Sequence, residues 1–124
     1  MQRHEGAVRR VVVEVATLVE QAYEQRAEIM KALAHPSRLM ILDALADGEK
    51  CVCELQEIVG SSMPTVSRHL AQMRNAGVVD GRRDGNQIYY RLLVPCVLRV
   101  FPCIDEVMRA EAERMAEVLE VGAD

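Results

Sequence analysis

Apolar residues recur along most of this chain at intervals of three and four, the spacing of a helix face. Val8, Val11, Val12, Val15, Leu18, Val19 and Ala22 mark a first helix over 7–27, with Arg, Glu and Gln between them. The stripe is broad for a helix at a chain end. Ile29, Met30 and Leu33 predict a second helix over about 25–34. "AHP" interrupts it, and Pro36 suits the first turn of the next helix, where no amide donor is needed. That helix buries Leu39, Ile41, Leu42 and Leu45 and stops at Asp47–Gly48.

A short helix over 52–59 follows, with Leu55, Ile58 and Val59 inward and Gly60 at its end. Ser62 is a good N-cap for another, whose buried stripe is Val66, Leu70 and Met73 and which closes at Gly77. Two helices joined by a glycine turn, over 52–76, form a helix-turn-helix. The period then changes. In "VVDGRRDGNQIYYRLL", two β-prone runs flank Asp84–Gly85, a hairpin signal, and place a wing at 78–92. The last segment, 95–120, is an amphipathic helix through Ile104, Val107, Met108, Met115 and Leu119, with Pro102 making a straight course unfavourable. The expected fold is mainly α with a β-hairpin wing: one winged helix-turn-helix domain over 1–124.

Composition narrows the function. The net charge of −4 looks wrong for nucleic acid, but its distribution does not. Residues 60–91 carry five arginines against two aspartates, and residues 92–124 carry three arginines against seven acidic residues. The middle is basic and the tail acidic. Three Tyr, one Phe and no Trp argue against a platform of stacked aromatics for single strands. No apolar run is long enough to cross a bilayer, and "MQRHEGAVRR" has no signal-peptide core, so a cytoplasmic location is expected. There, four cysteines read as free thiols or metal ligands rather than structural disulfides. No Gly-rich phosphate loop or paired-carboxylate pocket is visible, and no histidine is placed to serve a thiol, so an enzyme is not expected.

The exposed face of the 62–76 helix offers Ser62, Thr65, Ser67, Arg68 and Gln72. Arg can donate twice to guanine and Thr can give its methyl to thymine, so this face suits a DNA major groove. Arg82, Arg83 and Asn86 on the wing would reach the flanking backbone or minor groove. His69 adjoins the buried stripe and reads either as a phosphate contact or as a hydrogen-bonded, partly buried histidine. The competing reading of the whole element is a winged helix that docks protein and solvates its arginines.

"KALAHPSRLMILDAL", "GEKCVCELQEIVGSSMPTVSRHLAQMRNAGVV" and "RRDGNQIYYRL" together resemble the ArsR/SmtB family of metal- and metalloid-responsive repressors, over about residues 28–92. The resemblance implies a homodimer centred on the first and last helices (7–27 and 95–120), and release of operator DNA when inducer binds. The broad stripe on residues 8–22 suits that role independently, since one small domain hardly needs it inside.

Cys51 and Cys53 carry the inducer question. Residues two apart point about 200° from each other on a regular helix. A pair serving one ion therefore sits at an extended helix start or unwinds it. A helix N-terminus also favours thiolate. In arsenite-responsive members the resembling motif is C-V-C-x-L-C; here Gln56 stands at the third cysteine's place. Cys96 and Cys103, in the repeated units "PCVLRVF" and "PCIDEVM", are the remaining sulfurs that could complete a site, within the chain or across a dimer. Thiolates alone suit arsenite, antimonite or another soft ion such as cadmium or lead, whereas the zinc sensors the chain resembles use His and carboxylates on the last helix, where this chain has no His. The alternatives are a thiol redox or reactive-sulfur switch and, for any of the four, simple burial as a small hydrophobe.

Overall fold

The computed structural model describes residues 2–123; Met1 and Asp124 of the expected 1–124 domain lie outside the described residues. The first element is α1 (Gln2–Leu33), one unbroken helix rather than the two expected. The polar stretch "YEQRAE" interrupts the stripe, but it contains only residues compatible with helix, no Gly or Pro divides it, and Ile29, Met30 and Leu33 resume the face of residues 8–22. At about 1.5 Å per residue it is about 48 Å long. Only its C-terminal end meets the core, through Ile29 and Leu33.

His35 then turns extended (φ −154°, ψ 134°), and its Nδ1 accepts the Ser37 amide at 3.0 Å, capping α2 (Pro36–Ala44). A 3-10 turn, Leu45–Asp47, leads to a two-residue strand β1 (Lys50–Cys51) that the sequence did not reveal. The helix-turn-helix is α3 (Val52–Val59) and α4 (Met63–Asn75), joined through Gly60 in the left-handed region (φ 76°). Ile41 and Leu42 of α2, Leu55 of α3, and Val66, Leu70 and Met73 of α4 form the centre of the core. Ile58, expected inward, is exposed, and Val59 beside it packs against the core instead. At the end of α4 the Val78 amide reaches the Met73 carbonyl and the Gly77 amide the Arg74 carbonyl, both at 3.0 Å. This closure sends the chain directly into the wing.

The wing strands β2 (Val79–Asp84) and β3 (Gln87–Leu92) are antiparallel, and the sheet order is β1-β3-β2. The turn residues are Gly85 and Asn86, one position later than expected, because Asp84 itself pairs with Gln87. Gly85 takes the positive φ (63°) that a two-residue hairpin requires. Gly81 lies opposite Tyr90, and a β-carbon there would come within 3.0 Å of the tyrosine ring, so the missing side chain is the seat of that ring.

The last expected helix is divided. Pro95–Arg99 is a 3-10 turn, and α5 (Val100–Ala123) begins after it, which places Pro102 in a first turn where its missing amide costs nothing. Val97, Leu98 and Phe101 pack against the core from this side. Beyond them α5 stands off the domain, as most of α1 does, and both present aliphatic stripes to solvent: Val12 is 61% and Leu119 67% exposed. Among the described residues no helix is long and apolar enough to cross a membrane.

Candidate DNA interface and thiol site

The recognition face is organised from the start of α4. Ser62 Oγ accepts the Thr65 amide at 3.4 Å and donates to Thr65 Oγ1 at 2.9 Å, so these two hydroxyls are tied to each other at the cap. Ser67, Arg68 and Gln72 are exposed, and Arg68 makes no ion pair among the described residues. Arg68 and Gln72 border an open hollow of about 420 Å³, shared with His35, Arg38, Thr65 and His69.

His69 departs from the exposed face on which a phosphate contact was one reading. It is buried, its Nδ1 accepts Arg38 Nε at 3.0 Å, and its ring centroid lies 4.4 Å from that of His35. Burial, then the positive neighbours His35, Arg38 and Arg68, hold its pKa below the usual 6.5, and the neutral ring is the form that accepts from Arg38. Arg38 also donates to the Ala32 carbonyl at 3.1 Å, so one guanidinium joins α1, α2 and α4. Sequence reasoning missed Arg38. Its signal was a lone charge three residues after the capping His35, at the start of an apolar helix.

On the wing, Arg82 does not stand free as expected. Glu49 holds its Nε at 2.9 and 3.0 Å, and its guanidinium lies 4.9 Å from the Tyr89 ring centroid. The hydrogen bond to Arg82 is the main cause holding the Glu49 carboxyl below its usual range, and the same bond raises Arg82. Arg83 is exposed without an ion pair among the described residues, and Asn86 sits in the turn itself. Arg74 is turned to Asp80 at 3.5 Å.

Cys51 has two structural roles. It is the last residue of β1, opposite Tyr89, and the extended N-cap of α3 (φ −74°, ψ 158°). Its Sγ accepts the Glu54 amide at 3.3 Å while Glu54 Oε1 accepts the Cys51 amide at 3.4 Å, a capping box with sulfur in the hydroxyl's place. Cys53 follows in the first turn of α3, and its sulfur is joined to that of Cys51 in a disulfide, with Cα atoms 5.3 Å apart, so this pair is not the free thiols expected and only Cys96 and Cys103 are free. The extended helix start required for such a pair is present. Cys51 is buried and Cys53 exposed. Cys53 Sγ lies 3.4 Å from Gln87 Oε1 on β3 and borders a second hollow, of about 340 Å³, between α3, α4 and the wing.

Cys96 and Cys103 fall on different elements, the 3-10 turn and the first turn of α5, and both are exposed rather than packed as small hydrophobes. Among the described residues of one chain, no three His, Cys, Asp or Glu side chains are grouped to hold an ion. A third sulfur from Cys96 or Cys103 is therefore not supplied within the subunit.

Comparison with known proteins agrees with this architecture. The family described as "Bacterial regulatory protein, arsR family" matches residues 35–80, from the cap of α2 to the start of the wing. The biofilm growth-associated repressor of Agrobacterium fabrum is 39% identical over 98 residues, covering 76% of this chain and 84% of that protein. The homodimeric winged helix-turn-helix DNA-binding domain of a possible ArsR-family regulator from Mycobacterium bovis superposes with a TM-score of 0.65 at 35% identity, covering 77% of this chain and 88% of that one. The transcriptional repressor BigR from Xylella fastidiosa gives a TM-score of 0.62 at 33% identity, over 74% of this chain and 94% of that one. With its helix-turn-helix, its wing and these relatives, the chain belongs to the ArsR family, as a DNA-binding transcriptional repressor.

Proposed function

We propose that this repressor leaves its operator when a thiophilic inducer, trivalent arsenic or antimony, is taken by Cys51 and Cys53. The observation that carries this reading is the position of the pair. Cys51 caps the first helix of the DNA-reading unit and pairs with Tyr89 of the wing, and Cys53 touches Gln87 of the same strand. Any ligand that moves either sulfur acts on both elements that face DNA. The major groove is read by Thr65, Ser67, Arg68 and Gln72, with Ser62 holding the helix start. Arg83 and Asn86 reach the flanking backbone, Arg82 supports the wing beside them, and His69 orients the reading helix through Arg38. The aliphatic stripes of α1 and α5 form the subunit interface, and Cys96 and Cys103 lie at the start of α5, where a sulfur from the other subunit would have to come from. The protein works in the cytoplasm.

A redox switch is the second reading, favoured by the bonding contact of the two sulfurs. The two readings separate in one assay. Fluorescence anisotropy of a bound duplex, selected from random sequence by repeated binding, is followed during titration with arsenite, antimonite, cadmium, lead and a polysulfide donor. Release by arsenite or antimonite from protein kept reduced, and its loss in Cys51→Ser and Cys53→Ser, supports the first. Release by the polysulfide donor alone supports the second.

A further inference from the structure

The reading helix α4 has a hollow on each flank. On one flank, Met63 and Ser67 meet the wing residues Asn86, Gln87 and Ile88 around the hollow of about 340 Å³. On the other, Thr65, Arg68, His69 and Gln72 line the hollow of about 420 Å³ together with His35 and Arg38 from the start of α2. A helix lying in a major groove has a phosphate backbone on both sides. The wing is placed to meet one backbone, and the hollow beside α2 lies on the side of the other.

The lining of the hollow beside α2 is one-sided in its chemistry, since none of its six residues is acidic. His35 Nδ1 accepts the Ser37 amide, and His69 Nδ1 accepts Arg38 Nε. A neutral imidazole that accepts at one nitrogen carries its proton on the other, so both rings present Nε2–H as a donor. Neither Nε2 has a partner among the described residues. His69 is only 8% exposed, yet no described side-chain nitrogen or oxygen is sealed from water without a partner, so its Nε2 opens on the hollow. Arg38 commits Nε to His69 and Nη1 to the Ala32 carbonyl, which leaves Nη2. Thr65 Oγ1 accepts the Ser62 hydroxyl, so its own proton is left to donate. Burial first, then the charges of His35, Arg38 and Arg68, hold the His69 pKa down, and no carboxylate in the lining offsets those charges.

We infer that this hollow is a seat for one phosphate group, with His35 Nε2, His69 Nε2, Arg38 Nη2 and Thr65 Oγ1 as donors and Arg68 at its rim. The two rings stand 4.4 Å apart, centroid to centroid, close enough to serve one phosphate together. The non-bridging oxygens of a phosphodiester offer lone pairs for all of these donors. The hollow is open, so a nucleic-acid backbone can enter and leave it; a free phosphate ion carries the same chemistry. The seat adds a contact to the DNA-binding role and is independent of what Cys51 and Cys53 take.

The test scans the selected duplex with single methylphosphonates, each replacing one charged oxygen by methyl. Anisotropy is read with the full-length wild type, His35→Asn and His69→Gln. Asparagine is a strong N-cap, so His35→Asn keeps the start of α2 and loses the Nε2 donor. His69→Gln keeps an oxygen for Arg38. At one position in each half-site the methylphosphonate should weaken the wild type about tenfold, the scale of a hydrogen bond to a charged group. The same duplex should cost either variant less than about twofold more than it has already lost, because the two changes remove one contact. On unmodified duplexes both variants should bind more weakly with base preference unchanged. Histidines that act only through the fold would instead leave the methylphosphonate cost equal in variant and wild type at every position. A second arm adds inorganic phosphate to DNA-free protein, against chloride at equal ionic strength, and follows the imidazole resonances, assigned with the same variants. A coupled duplex position identifies the backbone as the occupant. Shifts of the His35 and His69 rings with no coupled position identify free phosphate. Equal costs at every position, together with rings that phosphate leaves unmoved, overturn the seat.

Discussion

Cys51 and Tyr89 are opposed residues of the antiparallel pair between β1 and β3, so the first sulfur of the proposed sensor is a strand neighbour of the wing. Because Cys51 is also the N-cap of α3, its chemistry can be separated from its structural role. Serine is a strong N-cap and alanine a poor one. Cys51→Ser therefore keeps fold and DNA binding while losing inducer release. Cys51→Ala loses release and also about 1 kcal/mol of stability, within the range of cap deletions. Urea denaturation of the two variants side by side checks this; equal stability would show that the sulfur cap contributes nothing.

The burial of His69 makes stability depend on pH. Burial and positive neighbours lower the His69 pKa below 6.5 in the folded state, so the unfolded chain binds the proton first as pH falls. The stabilisation from neutral His69 is fully present above 6.5 and is lost as pH drops from there towards the folded value. Denaturation midpoints measured from about pH 7 to about pH 5 should fall in the wild type and fall less steeply in His69→Gln. Parallel slopes would mean that His69 is not the group responsible.

The two wing arginines should not behave alike. Arg83→Ala should weaken binding to every sequence and reduce the salt slope by about 1. Arg82→Ala should do less, because Glu49 already holds that guanidinium. Glu49→Gln, which releases Arg82, should tighten non-specific binding at low salt. Arg68→Ala, on the reading helix, should cost about 1–3 kcal/mol on the preferred duplex and relax base choice. Anisotropy titrations at several salt concentrations distinguish all four, and an Arg68→Ala protein with unchanged sequence preference would displace the reading face from α4.

Val12→Asp or Val15→Asp should produce monomers, since each places a charge in the aliphatic stripe that α1 exposes on the single chain. DNA affinity should collapse with the dimer, because paired half-sites need linked readers. Sedimentation velocity reads the first effect and anisotropy the second; an intact dimer would remove α1 from the interface.

Leu70→Ala opens a cavity at the centre of the core, where the side chain is fully buried between α4 and its neighbours. The expected loss is about 2–5 kcal/mol, measurable by urea denaturation. Ile58→Ala, on the exposed side of α3, should cost far less.

The parts legible in the sequence are those fixed by local rules. Val66, Leu70 and Met73 repeat at helical spacing and are buried together, and Ser62 and Gly77 bracket their helix as cap and closure. The hairpin was legible to within one residue, because Asp84–Gly85 and Gly85–Asn86 are both acceptable turn pairs and only the pairing of Asp84 with Gln87 decides between them. What the sequence concealed depends on distant partners. β1 is two residues long and exists only because β3, nearly forty residues later, pairs with it. Arg38 passed unnoticed and Arg82 was expected to reach DNA, because their partners His69 and Glu49 are each more than thirty residues away. The break expected near residue 25 was a polar stretch, residues 23–28, that the single helix α1 runs through.

The brevity of β1 sets how the sensor opens. A strand of two residues, Lys50 paired with Tyr90 and Cys51 with Tyr89, has no interior and cannot unzip in stages. Its amides should exchange with solvent deuterium by a local opening well below the free energy of global unfolding, whereas those of α4 around Leu70 wait for the whole domain. Cys51 thus sits on the shortest pairing of the sheet, with Cys53 beside it in the first turn of α3. A ligand bound there need not melt a helix: it has only to hold ajar a seam that thermal motion already parts.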